Sequence, residues 1–402
     1  MYNKTGVMIV GLNGEVATCA TGGTVAIKKG LVQPLGLVTE LDEFKDWNLP
    51  EISSLIFSGW DLRCQSHIGW VRKHNKIPES IISSIEDELN DIPVYPAPTL
   101  GVSSTILSID DIDSDRQCHN RREVVAELTR DISDFKKRFQ LENVVVVNLS
   151  SVDTDLVEQE CFQSIDLFEK ALTSNDESIS TGMLYAYAAI SSKCPFINFT
   201  PNVTFDIPAL LELAQLEGVP LVGKDAKTGQ TLYKTVLAPM FRWRNLKVDG
   251  WYSTNILGND DGRVLDDPNH GIAKIKTKSN VLSQILNYDD FEHQVHIHYY
   301  PPRGDEKEAW DTIDFRGWLN QSMSVKVNWI GNDSILASPL VIDLIRFVIH
   351  AHQNGEKGVI KYLSSFFKSP VGVIEHDFFK QISFLLNKTT YDLECKKEKD
   401  HV

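Results

Sequence analysis

Lys274 and Lys278 stand four residues apart, and the apolar positions Ile275, Val281, Leu282 and Ile285 predict a helix over His270–Leu286 that carries both ammonium groups on one face. Like charges at that spacing cost a helix a few tenths of a kcal/mol, so an anion should face them. A lone pair of this kind is ordinarily a solvated basic face. Here it has company. Gly223, Asp225, Lys227, Thr228 and Gly229 follow the short apolar run Val219–Val222, and Asn259-Asp260-Asp261-Gly262 follows the strand-like segment Lys247–Leu257. A strand that ends in a glycine- and threonine-bearing turn puts backbone N–H groups and a hydroxyl at the start of the next helix, which suits a phosphate. Carboxylates and lysines gathered around such turns suit an anionic, polyhydroxylated ligand.

Stepping outward, the N-terminal segment reads as strand Gly6–Val10, the turn Gly11-Leu12-Asn13-Gly14, then a helix of small residues that runs toward Lys29 and stops at Gly30. Strand, glycine turn and helix N-terminus form the physical basis of a dinucleotide site, although Asn13 replaces the middle glycine of the usual pattern. A helix over Arg121–Phe139, strand Asn143–Val147, helix Thr181–Ser192, strand Phe196–Asn198, helix Ile207–Leu216 and strand Pro220–Val222 follow. The alternation predicts an α/β fold: a Rossmann-type, doubly wound parallel sheet with Asn148 to Ser151 and Asn198 to Asn202 at the ligand-binding strand ends. Between about Phe241 and Ile330 the texture changes to longer alternating strands, Lys247–Ile256, His293–Tyr300 and Ser324–Ile330. These predict an inserted α+β domain with a largely antiparallel sheet. The expected division is 1–240 plus 331–402 for the first domain and 241–330 for the second.

The chain has 402 residues, 42% of them hydrophobic and 24% charged, and a formal net charge of −15. That balance argues against nucleic acid or anionic membrane as a partner. The six cysteines, Cys19, Cys64, Cys118, Cys161, Cys194 and Cys395, include no CxxC pair and fit reduced thiols in a cytoplasmic protein. No leader and no uninterrupted apolar stretch of membrane length is expected. Asp110–Asp115 reads as a solvated acidic loop, and the tail from Cys395 as a frayed end. His296 and His298 would share a strand face and could hold zinc, but no cysteine or carboxylate stands at ligand spacing, so no metal site is assigned.

Taken in order, LYAYAAI (Leu184–Ile190), CPFIN (Cys194–Asn198), GKDAKTGQT (Gly223–Thr231), LGNDDG (Leu257–Gly262), KTKSNV (Lys276–Val281), GDEK (Gly304–Lys307), NDSILASPLVIDL (Asn332–Leu344) and FFKSP (Phe366–Pro370) resemble the myo-inositol 1-phosphate synthase family. The likeness covers most of the chain from Gly6 to Pro370. It implies NAD as cofactor and cyclisation of glucose 6-phosphate to myo-inositol 1(3)-phosphate, by oxidation at C5, enolisation, aldol closure and re-reduction. It also implies a homotetramer built through the inserted domain. The same chemistry on another hexose or keto-sugar phosphate, and a simple NAD-dependent sugar-phosphate dehydrogenase, remain as alternatives, and assistance by a monovalent or divalent cation stays open.

Each stage places negative charge on an oxygen, which preorganised cations stabilise most effectively where water is excluded. Carried over by resemblance, the catalytic set is Lys274, Lys278, Lys307, Lys368, Asp225, Asp261 and Asp333. Lys274 would exchange the proton on the C5 oxygen, with Lys368 assisting; Lys278 and Lys307, with Thr228 and Gly229, would hold phosphate and stabilise the enolate. Asn259 completes the substrate contacts. The cofactor contacts fall on Gly11, Leu12, Asn13, Gly14, Glu15, Val16, Asp61 of a GWD element, Asn148, Ser150, Thr200, Asn202, Asp225 and Asp261. His298 departs from the family, which usually has lysine there.

Overall fold

The computed structural model describes residues 4–100, 112, 114–152, 157–258, 281–304 and 306–388. The chain divides into two compact units: Met1–Ala226 with Ala337–Gly372, and Lys227–Leu336 with Val373–Val402. Against the expected boundaries at 240 and 331, the first division falls before the helix Gly229–Trp243, because that helix sends Ala238 and Phe241 into the core of the second unit. The last described helix, Phe378–Leu386, also belongs to the second unit.

The first unit is built on seven strands: β1 (Thr5–Val10), β2 (Leu55–Asp61), β3 (Val94–Pro96), β4 (Asn143–Asn148), β5 (Phe196–Asn198), β6 (Pro220–Gly223) and β11 (Gly358–Val359). They pair in the order β11-β6-β5-β4-β1-β2-β3, and every pairing is parallel. The order reverses direction at β1, with β2 on one side and β4 on the other, which places a crevice beyond the carboxyl ends of β1 and β4. All six residues of β1 are buried, as a strand covered on both faces requires. Met8 and Val10 join a core with Leu128, Ile132 and Phe135 of the helix Arg121–Phe139 and with the nearly wholly buried helix Thr181–Ser191. Asn120 caps the first of these helices by accepting from the Glu123 N–H, and Ser180 caps the second through Met183. The two helices and strands β1, β4, β5 and β6 lie within a residue or two of their expected bounds because apolar periodicity is a local signal, whereas β2, β3 and β11 were not foreseen as strands.

In the second unit, β7 (Lys247–Leu257), β8 (Glu292–Tyr299), β9 (Lys307–Arg316) and β10 (Ser322–Gly331) pair in the order β10-β9-β7-β8. The β9/β10 and β7/β9 pairs are antiparallel, whereas β7 and β8 run parallel, so the sheet is mixed. The long connection from 258 to 291, which ends in helical residues 281–286, is what a parallel pair needs. Val281, Leu282, Ile285 and Leu286 pack with Phe241, Trp251, Ile313 and Phe315 on the inner face of the sheet. Strand β9 was not foreseen. Its inward positions include Asp311, a buried carboxylate that breaks the apolar alternation and is held by Trp251 Nε1 at 2.8 Å, Gln230 Nε2 at 3.2 Å and the Ser253 hydroxyl.

The helix Asp333–Gln353 has the length and hydropathy of a membrane span, but 72% of its apolar window is buried within the protein. Asp343, wholly buried, accepts from the backbone of Val38 and Thr39 and from the Thr39 hydroxyl, which suits a core helix.

Candidate active site

The expected helix over His270–Leu286 is described only from residue 281, so Lys274 and Lys278 lie outside the described residues, as do Asn259, Asp261, half of the Asp110–Asp115 loop and the tail from Cys395. The other expected positions fall into two groups, one in each unit.

In the first unit, Gly11 has a φ of +85°, and a Cβ there would stand 3.1 Å from the Leu149 carbonyl oxygen, so glycine is required both by conformation and by space. Gly14 opens the helix Glu15–Lys28 with no side-chain cap, leaving the positive end of that helix available to an anion. These features fit the pyrophosphate of a dinucleotide. Asn13 is wholly buried and turned inward: its N–H donates to Asp61 Oδ2 at 2.8 Å and its Nδ2 to the Arg63 carbonyl at 2.6 Å. Asp61 Oδ1 takes the Arg63 N–H at 3.0 Å and its Nε at 3.2 Å. Both carboxylate oxygens are thus occupied within the turn.

Beyond β4 and β5 lies a ladder of amides and hydroxyls. Asn148 Nδ2 donates to Asn198 Oδ1 at 3.2 Å, and Asn198 Oδ1 also receives the Thr200 hydroxyl at 2.8 Å. The Ser150 N–H returns to Asn148 Oδ1 at 3.3 Å, and Asn202 Nδ2 reaches the Ser151 carbonyl at 2.9 Å. Asn198, which was not among the expected contacts, is the hub of this ladder. Its place in CPFIN marked it as a strand end but not as a side chain with three partners.

The ladder continues to Asp225, whose N–H donates to the Thr200 carbonyl at 2.9 Å. Lys368 Nζ donates to Asp225 Oδ1 at 2.9 Å. Two positions proposed for catalysis from separate motifs therefore share one ion pair.

The second unit assembles Thr228, Gly229, Lys307 and Asp333. Lys307 begins β9 opposite Gly331 at the end of β10, and its Nζ donates to Asp333 Oδ2 at 2.8 Å. Asp333 Oδ1 is buried with no hydrogen-bond partner among the described residues, an acceptor held ready for a donor. Gly229 has a φ of +52°, and a Cβ there would lie 2.7 Å from Trp329 Cζ2 and 3.5 Å from Asp333 Oδ1. A Cβ on Gly258, where LGNDDG leaves β7, would lie 2.3 Å from the Gly304 nitrogen, where GDEK begins. The two motifs therefore start against each other.

Two lysines of the second unit that were assigned no role in the site are lowered by burial. Desolvation lowers Lys227 to about 7, against the opposing charge of Asp377, and its Nζ donates to Gln381 at 2.6 Å. Lys234 falls to about 8 for the same reason and stands 3.0 Å from His293 Nε2. His296 and His298 stack with ring centroids 6.1 Å apart, and no group of three metal-ligating side chains occurs among the described residues.

A family profile described as myo-inositol-1-phosphate synthase, an NAD-binding family, matches residues 5–389. The chain belongs to the myo-inositol-1-phosphate synthase family. It is 38% identical to inositol-3-phosphate synthase 1 of Bacteroides thetaiotaomicron over 99% of this chain and 97% of that one. It is 29% identical to the inositol-3-phosphate synthase of Trypanosoma brucei brucei over 85% of this chain and 71% of that one. Among solved structures, the inositol-3-phosphate synthase of Caenorhabditis elegans matches with a TM-score of 0.85 at 25% identity, covering 97% of this chain and 86% of that one. The fold is shared with a myo-inositol-1-phosphate synthase-related protein of Thermotoga maritima, at a TM-score of 0.77 and 21% identity over 96% of this chain and 99% of that one. The synthase family's likeness thus extends across both units, including the mixed sheet that carries Lys307.

Proposed function

We propose that this chain catalyses the NAD-dependent cyclisation of glucose 6-phosphate to myo-inositol 1(3)-phosphate. The observation that carries the reading is the likeness to an inositol-3-phosphate synthase along nearly the whole of both chains. NAD, when bound, supplies a hydride acceptor for the alcohol at C5 and a hydride donor for the ketone that follows aldol closure. The uncapped turn Gly11 to Gly14, with Glu15 and Val16 in the first helical turn, would hold its pyrophosphate; Asn148, Ser150, Thr200 and Asn202 would line the strand ends beside it.

In this reading the chain's own residues handle charge and protons. Lys368, oriented by Asp225, donates to oxygens that become negative, and Lys274 exchanges the C5 hydroxyl proton, with Asp261 and Asn259 orienting sugar hydroxyls. Lys307 and Lys278 hold phosphate together with Thr228 and the Gly229 amide, while Asp333 keeps the Lys307 ammonium in place. Lys368 and Lys307 are aimed in advance by Asp225 and Asp333, so little reorganisation of these two accompanies the build-up of enolate charge. The thiols described here are all free, which supports a cytoplasmic setting, and the family likeness supports a homotetramer.

The test is incubation with glucose 6-phosphate and catalytic NAD, followed by proton and phosphorus NMR of the product. An inositol monophosphate with no net NADH is expected. Stoichiometric NADH without a cyclic product overturns the reading in favour of a dehydrogenase.

A further inference from the structure

The glycine turn poses a question of its own: how a chain with asparagine in place of the middle glycine keeps the outward face of the turn bare. The answer lies in what holds Asn13. Its Nδ2 donates to the Arg63 carbonyl at 2.6 Å, so its Oδ1 is the acceptor of the contact with His67 Nδ1 at 2.8 Å. His67 Nε2 lies 2.8 Å from the Thr21 hydroxyl on the helix that follows the turn. His74 Nε2 stands 2.8 Å from the Asn13 carbonyl oxygen. His67 is only 1% exposed.

We propose that His67 is a positioning residue for the dinucleotide: its Nδ1–H holds the Asn13 amide inside the protein, so that the turn shows a diphosphate only backbone, as glycine would. The proposal rests on the cofactor reading above. Chemistry on the page supports it. With Nδ1 donating to a carbonyl-type oxygen, the neutral ring must accept at Nε2, and the single proton of the Thr21 hydroxyl can turn either to Nε2 at 2.8 Å or to the Ala17 carbonyl at 2.9 Å. Burial, with the neighbouring His74, pushes the His67 pKa down to about 4, so the neutral form persists throughout the physiological range. Without His67, Asn13 Oδ1 is a buried acceptor with no donor, and its easiest relief is to swing outward into the space the diphosphate needs.

The experiment is calorimetric titration of the full chain with NAD, alone and in variants. His67→Leu, which keeps bulk and removes the donor, should weaken NAD by about tenfold, the cost of one orphaned buried acceptor. His67→Asn, whose amide can occupy the Nδ1 position, should restore most of that loss. In an Asn13→Gly background, His67→Leu should change NAD affinity little, because the group it acts on is gone. At saturating NAD, kcat of the His67→Leu protein should stay near that of the wild type, since His67 touches no reacting atom. Should His67→Leu fail to fold, Thr21→Val tests the same link with a smaller expected loss. Unchanged NAD affinity in His67→Leu, or an equal loss in both backgrounds, overturns the proposal. Absence of NAD binding by the wild-type chain would overturn the cofactor reading itself, and this proposal with it.

Discussion

Lys368 is tied to Asp225 twice: its backbone N–H donates to the Asp225 carbonyl at 2.6 Å, and its Nζ donates to Asp225 Oδ1 at 2.9 Å. Asp225 adopts a φ of +59°, a conformation that asparagine also tolerates. Asp225→Asn should therefore keep the backbone while removing the charge that aims the ammonium. A fall in kcat of about 10²- to 10³-fold is expected, of the size seen when one preorganised electrostatic contact is lost. The partly exposed pair itself is worth only about 0–1 kcal/mol, so the melting temperature should hardly move. A parallel loss of stability and activity would refute the assignment.

Gly229 is closed to any side chain by Trp329 on one side and by its positive φ. Gly229→Ala should cost about 1–3 kcal/mol from strain and overpacking, visible as a lower melting temperature. Because the helix N-terminus must shift to relieve the clash, KM for the sugar phosphate should rise as well. An unchanged KM in a folded variant would count against a phosphate at this turn.

Lys307→Met removes the hydrogen-bond donor that Asp333 Oδ2 has among the described residues. If the lysine binds phosphate, KM for glucose 6-phosphate should rise by about tenfold or more, the scale of a charge-assisted hydrogen bond. Inhibition by inorganic phosphate, measured alongside, should weaken to a similar degree. Equal phosphate inhibition in wild type and variant would show that Lys307 does not hold this group.

Burial lowers Lys227 from 10.5 to about 7 and Lys234 from 10.5 to about 8. Between those values and 10.5 the unfolded chain binds more protons than the folded one, so stability should rise with pH through that window and be lost as pH falls through the folded pKa values. Lys227→Met, which keeps the apolar stem, should flatten the rise. Melting temperature against pH for the two proteins measures it, and identical slopes would mean that Lys227 keeps its proton in the folded state.

Gly59 and Gly11 separate fold from function. A Cβ on Gly59 would come within 2.0 Å of the Ile9 carbonyl oxygen, inside the pairing of β1 with β2. Gly59→Ala should prevent folding, whereas Gly11→Ala, at the end of the strand, should fold and bind NAD poorly. Circular dichroism together with NAD titration distinguishes the two, and a well-folded Gly59→Ala would contradict the strand register.

Much of this molecule was legible in its residues. The amphipathic stretch Arg121–Phe139 announced its helix, the apolar run ending at Val147 announced β4, and Gly11 and Gly30 marked two turns that the backbone makes at positive φ. Such features depend on neighbours a few positions away, so a chain read in order displays them. The inner contacts did not show in this way. Strand β9 hides behind Asp311, whose burial makes sense only once Trp251, Ser253 and Gln230 surround it. Nothing near His67 marks it as the partner of Asn13, 54 positions away, and nothing near Lys368 marks Asp225, 143 positions away. Residue types and local periodicity were enough to specify the strand and helix alternation and the glycine turns, and the motifs taken in order carried the resemblance to the family. The ion pairs, the mixed sheet and the buried asparagine arose only when folding closed long loops, because a polar group inside a protein takes its meaning from whichever distant donor or acceptor the packing brings within about 3 Å.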